Sequence, residues 1–264
     1  LDAVGTKAVT ETPAGYTSPA DQLARMAYVR RGVRKARKIR RVLERELGPA
    51  PWPEVRGLDL GCGPGTIAAY LGRLAGSFVG VDVDRAALDI ARSRFRYPNL
   101  EFLYNAEPRL PFDDASFDLI VANHVYEHVR DVEAFFEEVR RLIKPAGRVY
   151  LAAAGKYQLL EPHYKLPFLS WLPGKIADAY LKLAGREEDY DVHLVSYRRL
   201  FRLLEPFDVR EYTAAVVAEP ERFGAAAEVP ANRVLRRLAA FLARRAPSLS
   251  PTRIFVLRPK GARE

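Results

Sequence analysis

Between residues 55 and 155 the apolar positions fall into short runs separated by glycine and charged segments, and their period changes from run to run. VRGLDLGCGPG reads as a short strand that ends in a glycine loop. Helical spacing follows from about Thr66 to Leu74, SFVGVDVD reads as a second strand, and Arg85 to Arg94 as a second helix. LEFLYNA is a third strand. SFDLIVANHV is nearly all apolar, the composition of a strand buried on both faces. DVEAFFEEVRRLIK is an amphipathic helix and GRVYLAAAG a fifth strand. Strand and helix alternating in this way require a parallel sheet with right-handed crossovers.

Residues 156 to about 195 break the alternation. Within them lies EPHYKLPFLSWLP, residues 161 to 173, with Tyr164, Phe168 and Trp171 among three prolines. Proline stiffens such a stretch and limits its pairing to a sheet. Beyond it the pattern predicts a helix near 196 to 205, a strand near 207 to 217, a basic amphipathic helix at 231 to 245 and a final strand, TRIFVLRP. Upstream, Met26, Val29, Val33, Ala36, Ile39, Leu43 and Leu47 recur at helical spacing. The chain therefore divides into an N-terminal arm and basic helix (1–50) and a main domain (51–264) that carries a lid insertion (156–195).

Composition narrows the class. The 264 residues are 48% hydrophobic, enough for a large core, and no run of about 18 apolar residues exists to span a bilayer. The first 22 residues contain no apolar signal core, and Cys62 is the only cysteine, which excludes a disulfide framework and a cysteine metal cage. A cytoplasmic location is the default expectation. The net charge of +9 points to a polyanionic partner, and residues 25 to 47 alone hold ten basic and two acidic residues.

The chemistry concentrates at the glycine loop. Asp59, Gly61, Gly63 and Gly65 form D-x-G-x-G-x-G at a strand-to-helix turn, and Asp82 ends the next strand 21 positions after Gly61. Glycines allow a sharp turn and close backbone approach to a ligand, and an acid at the second strand end accepts ribose hydroxyls. Nicotinamide enzymes use a related device, but their spacing is G-x-G-x-x-G.

At these positions the chain resembles the class I S-adenosylmethionine-dependent methyltransferases, in the small-molecule branch that includes ubiquinone-pathway enzymes. LDLGCGPGT looks like their first motif, VGVDVD the second, NAEPRLPFDDASFDLIVANHVYEHV the third and fourth, and LIKPAGRVYL the block before the fifth strand. The resemblance implies a doubly wound, mostly parallel seven-stranded sheet with one antiparallel strand, and S-adenosyl-L-methionine as cofactor. It assigns the methionine end to Gly61, Gly63 and Gly65, the ribose to Asp82 and the adenine to Asn105 and the Ala106 N–H, with Asp59 and Val83 also among the cofactor-binding residues. Asn123, at the end of the fourth strand, completes that set. Asn105 stands where an Asp is usual, and Ala146 replaces a usual Gly.

His124-Val-Tyr-Glu127-His128 is also an H-x-x-E-H sequence, the inverted zinc-peptidase motif. That chemistry needs both histidines on one face of a continuous helix, whereas His124 directly follows a strand. Ubiquinone-pathway relatives carry E-x-x-E-H here in association with a metal; His124 replaces their first Glu, so no metal is assigned. A hydroxyl acceptor needs a base. The candidates are His124, His128 and His163, with Tyr126, Tyr164, Phe168, Trp171 and His193 as substrate contacts. The aromatics of the insertion either roof the acceptor pocket or face a lipid interface. Both alternatives imply a small or lipid-like, largely apolar acceptor, with O-methylation favoured and an anionic membrane surface as a candidate partner. RNA is the second acceptor class; against it, NHVY stands where base-amine methylation calls for N/D-P-P-Y/F. A non-catalytic cofactor-binding subunit is the third reading.

Overall fold

A computed structural model describes residues 19–47, 52–158, 160–161, 164–186, 190 and 192–261, with side chains from Val29 onward except those of Leu47 and Leu249. The N-terminal arm, His163 and the side chains of Met26 and Leu47 lie outside the described residues.

Seven strands form one sheet: β1 (Arg56–Leu60), β2 (Ser77–Asp82), β3 (Leu100–Tyr104), β4 (Phe117–Asn123), β5 (Ile143–Ala154), β6 (Phe207–Glu211) and β7 (Thr252–Pro259), in the order β3-β2-β1-β4-β5-β7-β6. The first five run parallel, and β7 is antiparallel to both β5 and β6. This is the doubly wound α/β architecture expected. The chain winds from β1 outward through β2 and β3, then returns to the other side of β1 with β4. Ligands of such sheets bind outside the carboxyl ends of the strands at that reversal.

Both faces of the sheet are covered, as the apolar β4 requires. Leu119, Val121, Tyr150, Ile254 and Val256 pack on one side with α1 (Pro19–Leu47), α2 (Thr66–Gly72), α3 (Arg85–Arg94) and α7 (Thr213–Ala218). Leu58, Ile120, Leu151 and Leu257 pack on the other with α4 (Val132–Leu142) and α6 (Tyr197–Leu203). Asp84 starts α3 by accepting from the Ala86 and Ala87 N–H groups, and Asp131 starts α4 through Ala134. The basic helix α1 buries Val29, Ala36, Ile39, Val42 and Leu43 while Arg30, Arg31, Arg34, Arg37 and Arg41 remain exposed. Its Gly32 lies against Thr66, the first residue of α2: an added Cβ would stand 2.7 Å from Thr66 Cγ2.

Two segments depart from the expected elements. The strand predicted over 207 to 217 stops at Glu211, and residues 213 to 218 are α7. The Tyr212 N–H still reaches the Ile254 carbonyl at 2.8 Å, but the Thr213 hydroxyl then accepts from the Ile254 N–H at 3.0 Å. A side chain replaces the next ladder partner, and the chain turns into a helix. Within the insertion, α5 (Gly174–Leu183) folds over a small cluster of its own, Leu169, Ala177 and Leu181. The last helix, α8 (Arg233–Arg245), is capped by the Asn232 side chain at Val234 and Leu235.

Candidate active site

The loop between β1 and α2 has all three glycines in the left-handed region, with φ of 62° at Gly61, 51° at Gly63 and 75° at Gly65. A side chain at Gly65 would also collide with the Phe102 ring at 2.6 Å and with Ala91 at 2.8 Å. Hydrogen bonds from Cys62 N to Val81 O and from Gly65 N to Cys62 O, both 3.0 Å, fix the turn. Cys62 itself is buried beneath it, its Sγ against Gly80.

Asp82 joins this loop to the next strand. Its Oδ2 accepts from the Gly63 N–H at 2.6 Å and its Oδ1 from the Asp84 N–H at 2.9 Å. Each carboxylate oxygen can accept a further hydrogen bond. Val83 follows, 66% exposed despite being apolar. Asn105 donates its backbone N–H to Asp82 O at 3.1 Å and its Nδ2 to Glu107 O at 2.6 Å, and Ala106 beside it is exposed. The predicted cofactor residues at the ends of β1, β2 and β3 are thus brought to one rim. Asn123 ends β4, half-buried and in register with Ala152.

Asp59 is placed differently. It is buried under the loop, with Oδ2 lacking any hydrogen-bond partner among the described residues. Burial pushes its carboxyl up to about 8, only partly offset by the Ala68 N–H. An orphaned acid beneath a glycine cradle, an exposed apolar Val83 and a paired Asp82 fit a ligand with a ribose, a base and a cationic end.

At the carboxyl end of β4 the backbone turns sharply. His124 has φ of 59°, a conformation that costs a non-glycine residue about 1 kcal/mol or more. It is held there by its N–H to Ala152 O at 2.9 Å. The consequence is an imidazole turned back onto Glu127, with Nδ1 2.9 Å from Oε1. Glu127 is fully buried, its Oε2 without a partner among the described residues, and its carbonyl accepts from the His193 N–H at 2.7 Å. With Nδ1–H donated to the carboxylate, Nε2 is left as the basic nitrogen. It lies 3.5 Å from Thr252 Oγ1, and the side chain is 28% exposed.

The other predicted contacts scatter. Tyr126 is fully buried and donates its hydroxyl to Ala154 O at 2.7 Å, so it offers no surface to an acceptor. It sits in a short 3-10 turn with Glu127 and His128, and His128 is exposed. The two histidines of H-x-x-E-H therefore do not share a helix face. No group of three or more His, Cys, Asp or Glu side chains among the described residues is gathered as metal ligands require. Tyr164 packs beside Tyr190, its N–H bonded to Glu161 Oε2 at 2.7 Å. Phe168 and Trp171 meet edge to face at 5.5 Å and stay about half exposed, while the Trp171 Nε1–H reaches Gln158 O at 2.8 Å. His193 lines a separate cavity of about 370 Å³ with Arg130, Lys156 and Ser170.

Two residues at the imidazole, Glu127 and Thr252, escaped sequence reasoning as functional groups. The grip of Glu127 on His124 is visible only once His124 turns left-handed. Thr252 lies 128 positions away and carries no local signal. Lys35 comes from α1, where it reads as one charge among ten; burial lowers its pKa, with Lys38 and Arg31 adding and Glu228 and Glu127 opposing. The Lys38 ammonium is paired with Glu228 at 2.6 Å.

Comparison with known proteins agrees with this geometry. Residues 58–151 match the family described as the methyltransferase domain. The match begins in β1 and ends in β5, so it encloses the glycine loop, Asp82, Asn105 and His124. The chain is 28% identical over 156 residues to a ubiquinone biosynthesis O-methyltransferase of Pelagibacter ubique, covering 56% of this chain and 61% of that protein. It is 33% identical over 150 residues to a demethylmenaquinone methyltransferase of Chlorobaculum tepidum, covering 56% and 58%. The chain thus spans about three fifths of these relatives. The fold is also that of a geranyl diphosphate C-methyltransferase from Streptomyces coelicolor, solved with Mg2+, geranyl diphosphate and S-adenosyl-L-homocysteine. There the TM-score is 0.52 at 18% identity, over 95% of this chain and 84% of that one.

Proposed function

We propose that the chain transfers the methyl group of S-adenosylmethionine to a hydroxyl of a largely apolar, quinone-like acceptor, with His124 as the base. The observation that carries this reading is the His124 imidazole, fixed through Nδ1 by buried Glu127 at the switch point of the sheet. When bound, S-adenosylmethionine supplies an electrophilic methyl group on a sulfonium. The glycine loop and Asp82 orient it, and alignment of the two reactants accounts for most of the rate. His124 Nε2 would take the proton of the acceptor hydroxyl, freeing its oxygen to displace the neutral thioether leaving group from the methyl carbon as the C–S bond breaks. The Glu127 carboxylate stabilises the imidazolium that results. Relatives named for ubiquinone and demethylmenaquinone methylation support an acceptor of this class. Such acceptors partition into lipid, so the reading also implies that the acceptor is met at a membrane surface.

The test is His124→Asn, since Asn tolerates the left-handed backbone. Transfer to a prenylated catechol should fall by roughly 10²–10⁴-fold, the usual contribution of a positioned base. Calorimetric affinity for S-adenosylmethionine should stay within about twofold of the native protein's. Undiminished transfer in the variant would remove His124 as base. Tight cofactor binding by the native protein without turnover on catechol, quinol or RNA acceptors would make it a non-catalytic subunit instead.

A further inference from the structure

Helix α8 is docked the wrong way round for a core helix. Its buried residues are the small ones, Ala240 and Ala243, which face the protein beside α7. Its bulky residues Val234, Leu235, Leu238, Phe241 and Leu242 are instead 46–73% exposed. At helical spacing these five share one face. Arg233, Arg237 and Arg244 are exposed along one border of it, and the Arg245 guanidinium sits 5.8 Å from the centroid of the Phe241 ring. A helix that only closed a core would bury the leucines and show the alanines to solvent.

The insertion is rooted beside the end of this helix. The turn that follows α8 (Pro247–Leu249) runs to Ser250, whose carbonyl abuts Gly155 at the root of the insertion. From there Tyr157 packs edge to face on Trp171 at 5.5 Å, and Trp171 on Phe168. Both Phe168 and Trp171 are about half exposed although each is locked by ring contacts, Trp171 also through its Nε1–H to Gln158. Rigid, exposed aromatics with the indole N–H engaged are the pattern of an interfacial anchor rather than of a loose loop.

We propose that α8 and the aromatic trio Tyr157, Phe168 and Trp171 form one docking face for an anionic lipid bilayer. The bulky side chains enter the boundary between headgroups and acyl chains, and Arg233, Arg237, Arg244 and Arg245 pair with lipid phosphates. Charge decides for this occupant. The face is bordered by arginines without acids on the helix itself, the whole chain carries +9, and a second copy of the same basic face would be repelled by it. This names the route by which the acceptor proposed above reaches the site and, to that extent, rests on that reading. The docking itself is measured without acceptor or cofactor.

Co-sedimentation of the full chain with vesicles tests it. One set is pure phosphatidylcholine and the other contains about one third phosphatidylglycerol, each at low and at about 0.5 M salt. Binding is expected to the anionic vesicles, to weaken with salt, and to fall about tenfold in Leu238→Ser/Phe241→Ser, because both side chains lose their apolar insertion. Arg237→Glu/Arg244→Glu should lose the preference for anionic lipid. All four positions are exposed, so the thermal midpoint and cofactor affinity should match the native protein's. Equal binding by native and variant proteins, no binding at low salt, or a native dimer that Leu238→Ser/Phe241→Ser dissociates would each overturn the proposal. Methyl transfer to a detergent-dispersed acceptor, run in parallel, separates failure of docking from failure of the enzymatic reading.

Discussion

Asp59 shows how much one residue can couple folding to pH. Its carboxyl is held protonated by burial, up to about 8 against an ordinary value of 3.8. Between those values the unfolded chain has lost the proton and the folded chain keeps it. Its contribution to stability is therefore complete below about pH 4 and is lost as pH rises through about 8, by an amount on the order of a few kcal/mol. Urea unfolding at pH 5.5 and pH 8.5 should show a fall in the native protein that is smaller in Asp59→Asn. Parallel curves would mean that Asp59 ionises without cost in the fold. A cationic ligand end at the same place would draw the proton off, so cofactor affinity is expected to rise over the same interval in the native protein and to stay flatter in the variant. Asp59 and His124 are complementary: one is an acid kept neutral by its surroundings, the other an imidazole kept in one tautomer by a carboxylate.

At the scale of elements, the contact of α1 with α2 depends on the missing side chain at Gly32. Placing Val there should add helix propensity, worth at most about 1 kcal/mol relative to glycine, yet press on buried Thr66 at a cost of about 1–3 kcal/mol. The net expectation is a lower thermal midpoint and a looser α1. An unchanged midpoint would show that α1 shifts freely along α2. Such element pairs were only half legible in the sequence. The five parallel strands, the glycine loop and α8 could be read because each is specified by neighbours in the chain: alternation, turn glycines, a cap. The end of β6 could not, because the Thr213 hydroxyl takes over a strand partner that only tertiary structure supplies. Nor could the orientation of α8, since an amphipathic pattern marks two faces without saying which one docks. Tyr126 was expected at the acceptor on account of its position after β4, but the left-handed turn at His124 sends it into the core instead.

Over the whole molecule the two ends of the sheet divide the work. The carboxyl ends of β1, β2, β3 and β4 gather the loop, Asp82, Asn105 and His124, while a cavity of about 700 Å³ near Arg141, Ile143, Pro206 and Lys260 lies where β4, β5 and β6 begin. No helix of the described residues is long and apolar enough to cross a membrane. Cys62 turns this architecture into an instrument. It is the sole thiol in 264 residues, buried beneath the cofactor loop, and burial raises its pKa well above the ordinary thiol range, with Asp59 and Asp82 adding. An alkylating reagent can therefore react only when the loop lifts, and the native chain needs no engineered label to time that event. Modification should be slow at pH 8 and slower with S-adenosylhomocysteine, by a factor approaching one plus the ratio of ligand concentration to Kd. If added urea scarcely changes the rate until global unfolding sets in, the loop opens alone; a steep dependence from the start would mean that it opens only with the rest of the fold. The chemistry of a single sulfur atom would then report, residue for residue, how independently the cofactor door swings.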